Sequence, residues 1–95
     1  MTPATDVTVH VPTALRKYCS GVSVLVVSAR TVRGALEELE RDQPELYRNI
    51  CDETGAVRRH LNVFVGTLHV RDREGLETSL ASGDVVTILA AVSGG

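Results

Sequence analysis

Residues 85–95 read Val85-Val86-Thr87-Ile88-Leu89-Ala90-Ala91-Val92-Ser93-Gly94-Gly95, and this run decides how the rest of the chain must be arranged. Val85 to Leu89 is almost unbroken in apolar character, as expected for a strand in the middle of a sheet. It follows a tight turn at Ser82-Gly83-Asp84 and passes straight into small residues. A closing Gly94-Gly95 adds nothing to a core, because glycine has no side chain to bury and loses the most backbone entropy when ordered. Two residues without Cβ atoms instead suit a narrow channel that closes around them in a partner. The segment from Ala91 onward reaches roughly 17 Å when extended, at about 3.3–3.6 Å per residue. That is enough to carry the Gly95 carboxylate into another protein's active site. An α-carboxyl is ionised at neutral pH, so Gly95 offers an oxygen nucleophile toward an activated phosphate without a general base.

Working back from this end, Leu61-Asn62-Val63-Phe64-Val65 alternates as a strand with Leu61, Val63 and Val65 on one face and Asn62 and Phe64 on the other. Gly66-Thr67 turns it into a short strand around Leu68 to Val70, and Leu76 and Leu80 pin an irregular stretch to the core. Upstream the period changes: Val32, Ala35, Leu36 and Leu39 fall on one helical face after Thr31, a suitable N-cap. Pro44 ends that helix and opens a short one carrying Leu46 and Ile50, with a break at Asp42-Gln43. At the start, Val7, Val9 and Val11 share one face of a strand, and Val22 to Ser28 is a β-branched second strand. A long polar loop containing Arg16, Lys17 and Tyr18 joins the two as an opening hairpin. Strands and one main helix in this order predict an α+β fold rather than alternating α/β.

Ninety-five residues with 43% hydrophobic content hold one core. Ten basic and twelve acidic residues, mixed along the chain for a net charge of -2, leave no basic footprint for a phosphate backbone, so nucleic acid is not an expected partner. No leader pattern opens the sequence, and the apolar run Val22–Ala29 is less than half the roughly 20 residues of a membrane span. A soluble cytoplasmic protein with no membrane partner is expected. Cys19 and Cys51 should remain thiols there, and neither has a neighbour that would activate it as a nucleophile. His10, His60 and His69 lack ligand spacing, so no metal site is expected. The glycines sit singly, with no phosphate-binding loop, so any ATP must be bound by a partner.

Three segments carry a resemblance to a known family: VTVHVPTALRKY at 7–18, LNVFV with the later RDREGLETSLASGD at 71–84, and the ending VVTILAAVSGG. In these the chain resembles the MoaD/ThiS family of ubiquitin-like sulfur carriers, and within it the CysO-type carriers. The resemblance implies a ubiquitin-like β-grasp fold: a mixed four- to five-stranded sheet packed on one main helix, with residues 1–89 as the domain and 90–95 as an extended, flexible C-terminal tail. It also implies that Gly95, with Gly94, is the reactive site. An E1-like adenylyltransferase and sulfurtransferase of the MoeB/ThiF type would adenylate Gly95 with ATP, sulfur would displace AMP, and the thiocarboxylate would serve a sulfur-accepting biosynthetic enzyme. Such acceptors make cysteine, molybdopterin, thiamin or thiolated secondary metabolites. The protein would then be a carrier that binds no cofactor, not an enzyme. Ala90 stands where the family often has proline, Gly66-Thr67 replaces Asn followed by Gly or Asp, and Val85 replaces a polar residue.

The remaining candidates concern docking. Phe64, the only phenylalanine, either anchors a partner on the open sheet face or covers its cross-strand neighbours. Arg59 and Arg71, with Arg58 and Arg73, are candidates to steer an acidic partner surface. Val92 and Ser93 belong to the segment a partner would grip. Two other classes of function fit the same residues: a protein modifier conjugated through Gly95, and a non-catalytic β-grasp interaction module.

Overall fold

The computed structural model describes residues 5–90. The alternation near the start forms β1, Asp6–His10, with Val7 and Val9 buried. It pairs antiparallel with β2, Val24–Ser28, from Asp6 opposite Ser28 to His10 opposite Val24. The second strand starts later than its β-branched run suggests. Ser20 at φ 61 and Gly21 at φ 81 are consecutive left-handed residues, and the Val22 amide donates to the Cys19 carbonyl at 3.2 Å, so Val22 stays in the turn. The segment expected as a polar loop is a 3-10 helix, Thr13–Cys19. Leu15 and Cys19, both buried, draw it onto the core and leave Lys17 in solvent.

Helix α1, Val32–Asp42, begins where Thr31 caps it: the threonine Oγ1 accepts from the Gly34 N–H at 3.0 Å. Val32, Ala35, Leu36 and Leu39 are all buried, as the helical spacing requires. Gln43 separates α1 from α2, Pro44–Ile50, with Pro44 in the first turn, where its missing N–H leaves no bond unmade. Leu46 and Ile50 are fully buried on its inner face. The break therefore falls where proline chemistry places it.

After a turn come β3, Leu61–Val65, and β4, Leu68–His69. β4 stops one residue short of the expected Val70, because Val70 turns inward, buried, and opens a 3-10 turn, Val70–Asp72. Leu80 is buried and Leu76 packs against the core, as their apolar character anticipated. Between them lies Thr78, fully buried, which the sequence reading passed over. Its hydroxyl donates to the Gly75 carbonyl at 2.7 Å and accepts from the Glu74 N–H at 3.2 Å, while its carbonyl receives the Val32 N–H at 3.1 Å. A buried polar side chain is tolerated when its bonds are complete.

Gly83, at φ 89, closes the last turn, and β5 follows as Val85–Ala90. The sheet order is β2-β1-β5-β3-β4. β5 lies in the middle, parallel to β1 (Thr8 opposite Val85 to His10 opposite Thr87) and antiparallel to β3 (Leu61 opposite Ala90 to Val65 opposite Val86). This is the α+β, β-grasp arrangement expected, at the five-strand limit and with α2 beside the main helix. One inference needs correction. The apolar run of β5 is buried on one face only: Val86 and Ile88 are 1% exposed under the helices, whereas Leu89 is 46% exposed on the open face. Its centrality comes from hydrogen bonding to two neighbours, not from cover on both sides. Among the described residues no helix is long and apolar enough to cross a membrane.

Two outcomes follow for stability. Thr31→Ala should lower unfolding free energy by about 1 kcal/mol, and Thr31→Ser should restore most of it, in urea titrations. The second concerns Cys51, whose thiol burial pushes up to about 11 from 9.0. A thiol held protonated in the folded chain stabilises it fully below pH 9.0, and that stability is lost as pH rises toward 11, by at most about 1.4 kcal/mol per pH unit. Tyr47, raised by burial as well, adds to the same alkaline decline. Cys51→Ala should therefore flatten the decline in part, and an unchanged slope would refute the assignment.

Candidate functional site

The candidate site is built around the end of β5. Gly95, Gly94, Ser93 and Val92 lie outside the described residues, which end with Ala90. Ala90 is exposed and paired with Leu61, the first residue of β3, so the strand end is held by the sheet up to the last described residue. On the β1 side a groove of about 590 Å³ runs beside it, lined among others by His10, Pro12, Arg16, Val24, Leu89 and Ala90. Arg16 Nε donates to the Val11 carbonyl at 3.1 Å, which fixes the guanidinium over this groove. Neither Arg16 nor His10 was singled out from sequence. Nothing in their local pattern marks them, and only the parallel register of β1 on β5 brings them to the strand end.

On the β3 side a second groove of about 290 Å³ is lined by Val57, Arg58, Arg59, Leu61, Val63, His69, Val70 and Arg71. Among the described residues no acidic one lines it. Arg59 stands two residues ahead of Leu61, and so close to the strand end. Arg71 reaches Asn62 Oδ1 at 3.4 Å, and His69 Nε2 lies 2.9 Å from the same oxygen. The Arg71 backbone N–H donates to His69 Nδ1 at 3.0 Å, so Nδ1 is the acceptor and Nε2 carries the proton toward Asn62. His69 in turn stands edge-on to Phe64, with ring centroids 5.0 Å apart and planes at 65°. The structure thus brings three of the sequence candidates, Phe64, Arg59 and Arg71, to one corner of the molecule. Phe64 is half-buried and stands opposite Thr87 and His69 in the sheet.

Charge divides along the same line. Among the described residues the ion pairs are Arg33 with Glu77 at 2.6 Å, and Arg41 with Glu38 at 2.7 Å and Asp42 at 3.3 Å. All lie on the helical side. None engages Arg16, Arg59 or Arg71, so these three frame the strand end with positive charge although the whole chain is acidic, whereas Arg58 donates to the Arg48 carbonyl at 2.9 Å and helps hold the Asp52 carboxyl below its ordinary range. No three His, Cys, Asp or Glu side chains converge as metal ligands among the described residues. Cys19 and Cys51 are both buried, and a thiol pushed up to about 11 supplies little thiolate at neutral pH. The described side chains around the strand end, Arg16, His10, Arg59 and Arg71 among them, offer charge and hydrogen-bonding groups for recognition.

Known proteins share this architecture. The chain is 36% identical over 92 residues to the sulfur carrier protein CysO of Mycobacterium tuberculosis, covering 95% of this chain and 99% of that one. The solved Amycolatopsis orientalis BexX/CysO complex contains a chain 34% identical, with a TM-score of 0.85 over 94% of this chain and 99% of that one. The small archaeal modifier protein 1 of Methanosarcina acetivorans matches at 30% identity and a TM-score of 0.81, covering 99% and 100%. A family model described as the ThiS family matches residues 9–95, from within β1 through Gly95. With the β-grasp sheet and these full-length relatives, that match makes the chain a member of the ThiS family.

Proposed function

We propose that this chain is a sulfur carrier whose Gly95 carboxylate is the point of attachment. In this reading a separate E1-like enzyme of the MoeB/ThiF type joins the carboxylate to AMP, releasing pyrophosphate from ATP. A sulfur nucleophile then displaces AMP and leaves a C-terminal thiocarboxylate. That sulfur, ionised yet covalently held, passes to a biosynthetic acceptor enzyme. The carrier itself performs no catalysis, and the nucleotide binds to its partner.

The observation that carries the reading is the delivery of the last strand. β5 is paired with β1 as far as Thr87 and with β3 as far as Ala90, and the sequence that follows closes on Gly94-Gly95, two residues without side chains that a narrow active site could thread. The positive frame of Arg16, Arg59 and Arg71 supports docking on an acidic rim, since opposite charge speeds encounter without contacting the reacting atoms. The existence of a BexX/CysO complex for the Amycolatopsis orientalis relative supports a stable partner for this one. A second reading, conjugation of Gly95 to lysine as a protein modifier, draws support from the likeness to the archaeal modifier protein.

Intact mass spectrometry separates the two. Incubation with a cognate activating enzyme, ATP and a sulfur donor should add the mass difference between sulfur and oxygen, and deletion of Gly94 and Gly95 should abolish it. Lysine-linked adducts of higher mass in place of that product would favour the modifier reading. Charge reversal by Arg59→Glu together with Arg71→Glu should slow activation by about tenfold or more at low salt, with the difference shrinking as salt rises. Equal rates at low salt would remove the basic corner from the docking surface.

A further inference from the structure

The two edges of the sheet are built differently. β4 is only two residues long and runs directly into the 3-10 turn Val70–Asp72, so it offers almost no ladder to an incoming strand. β2, at the other edge, has five residues, and the segment around it from Gly21 to Ala29 contains no charged residue and no proline. Natural edge strands are usually blunted by lysine, proline or a bulge. This one carries none of the first two, and Val22, Val24 and Val26 are 40%, 41% and 68% exposed along it.

The direction of its backbone groups follows from the bonds to β1. The Val11 N–H donates to the Ser23 carbonyl at 2.8 Å and the Ala29 N–H to the Thr5 carbonyl at 2.9 Å. Ser23, Leu25, Val27 and Ala29 therefore face β1, and by alternation the N–H and C=O of Val24, Val26 and Ser28 face outward. Those three residues form a self-complementary set. In an antiparallel pair centred on Val26, Val26 opposes Val26 of the other copy and Val24 opposes Ser28, each pair exchanging two hydrogen bonds.

The side chains permit the same register. Across the open face the rows would read Val85, Thr8, Val26, then the same residues reversed in the other copy. The flanking rows would run from Asp6 through Ser28 to Val24 and His10 of the other copy, so no like charges are set opposite one another. A heterologous partner would need a matching uncharged strand, whereas a second copy supplies one by symmetry. We propose that β2 is a self-pairing edge, through which two copies of this chain associate as an antiparallel dimer with one continuous sheet. Because each copy spends the one long edge among its described residues, and β4 is too short to extend the ladder, the assembly closes at two. One strand pair falls below the roughly 1,200 Å² at which standard interfaces begin, so the dimer is weak and concentration-dependent. The proposal does not rest on the sulfur-carrier reading.

The test uses the full chain in a dilution series down from millimolar concentration. Sedimentation should show a reversible monomer–dimer equilibrium, and hydrogen exchange should slow at high concentration for the amides of Val24, Val26 and Ser28 but not for Leu25 and Val27. Val26→Lys should abolish both effects while leaving the amide spectrum unchanged away from β2, and Val26→Thr should retain them. Exchange rates independent of concentration overturn the proposal, as do assemblies larger than two or a Val26→Lys variant that dimerises like its parent.

Discussion

The pairing of β1 with β5 is the interaction on which the rest of the molecule depends. It joins the first strand to the last in parallel, from Thr8 opposite Val85 to His10 opposite Thr87. Parallel neighbours cannot be connected by a tight turn, so the chain between them must cross over, and α1 and α2 supply the crossover while covering the sheet's inner face. β3 then returns along the free side of β5. The buried strand residues, Val7 and Val9, Val27, Leu61, Val63 and Val65, Val86 and Ile88, join the apolar faces of α1 and α2 in one core.

That arrangement explains which parts of the structure were legible in the sequence. Helix α1 was, because Thr31, the spacing of Val32, Ala35, Leu36 and Leu39, and Pro44 all point to the same start, face and stop. β3 was, because its alternation is strict. The segment Thr13–Cys19 was misread as loop, since two buried residues in a polar stretch do not make a period that distinguishes a 3-10 turn from irregular chain. Thr78 left no signal at all, because a buried threonine looks like any other until its hydroxyl partners are known. The last strand was placed correctly in the sheet for a reason only half right, as the exposure of Leu89 demonstrates.

The candidate site divides in the same way. The terminal Gly94-Gly95 is a feature of composition and position, visible by inspection, although those residues lie beyond the described ones. Arg59 and Arg71 stood out as charge, and the turn after β4 is what brings Arg71 back to Asn62. Arg16 and His10 could not be found this way, because their proximity to the strand end is a product of register between residues some eighty positions apart. Basic residues that gather from three separate segments are recognisable only once the sheet is assembled.

The central position of β5 has a consequence for biosynthesis. The strand that leaves the ribosome after the other four is the one both hairpins need in order to join. A nascent or prematurely terminated chain lacks the middle of its sheet and cannot close its core. Because contacts between the two ends form late and over a long loop, maturation waits on complete translation. Completion of the fold is thereby written into strand order, because the last strand made is the one that holds the sheet together.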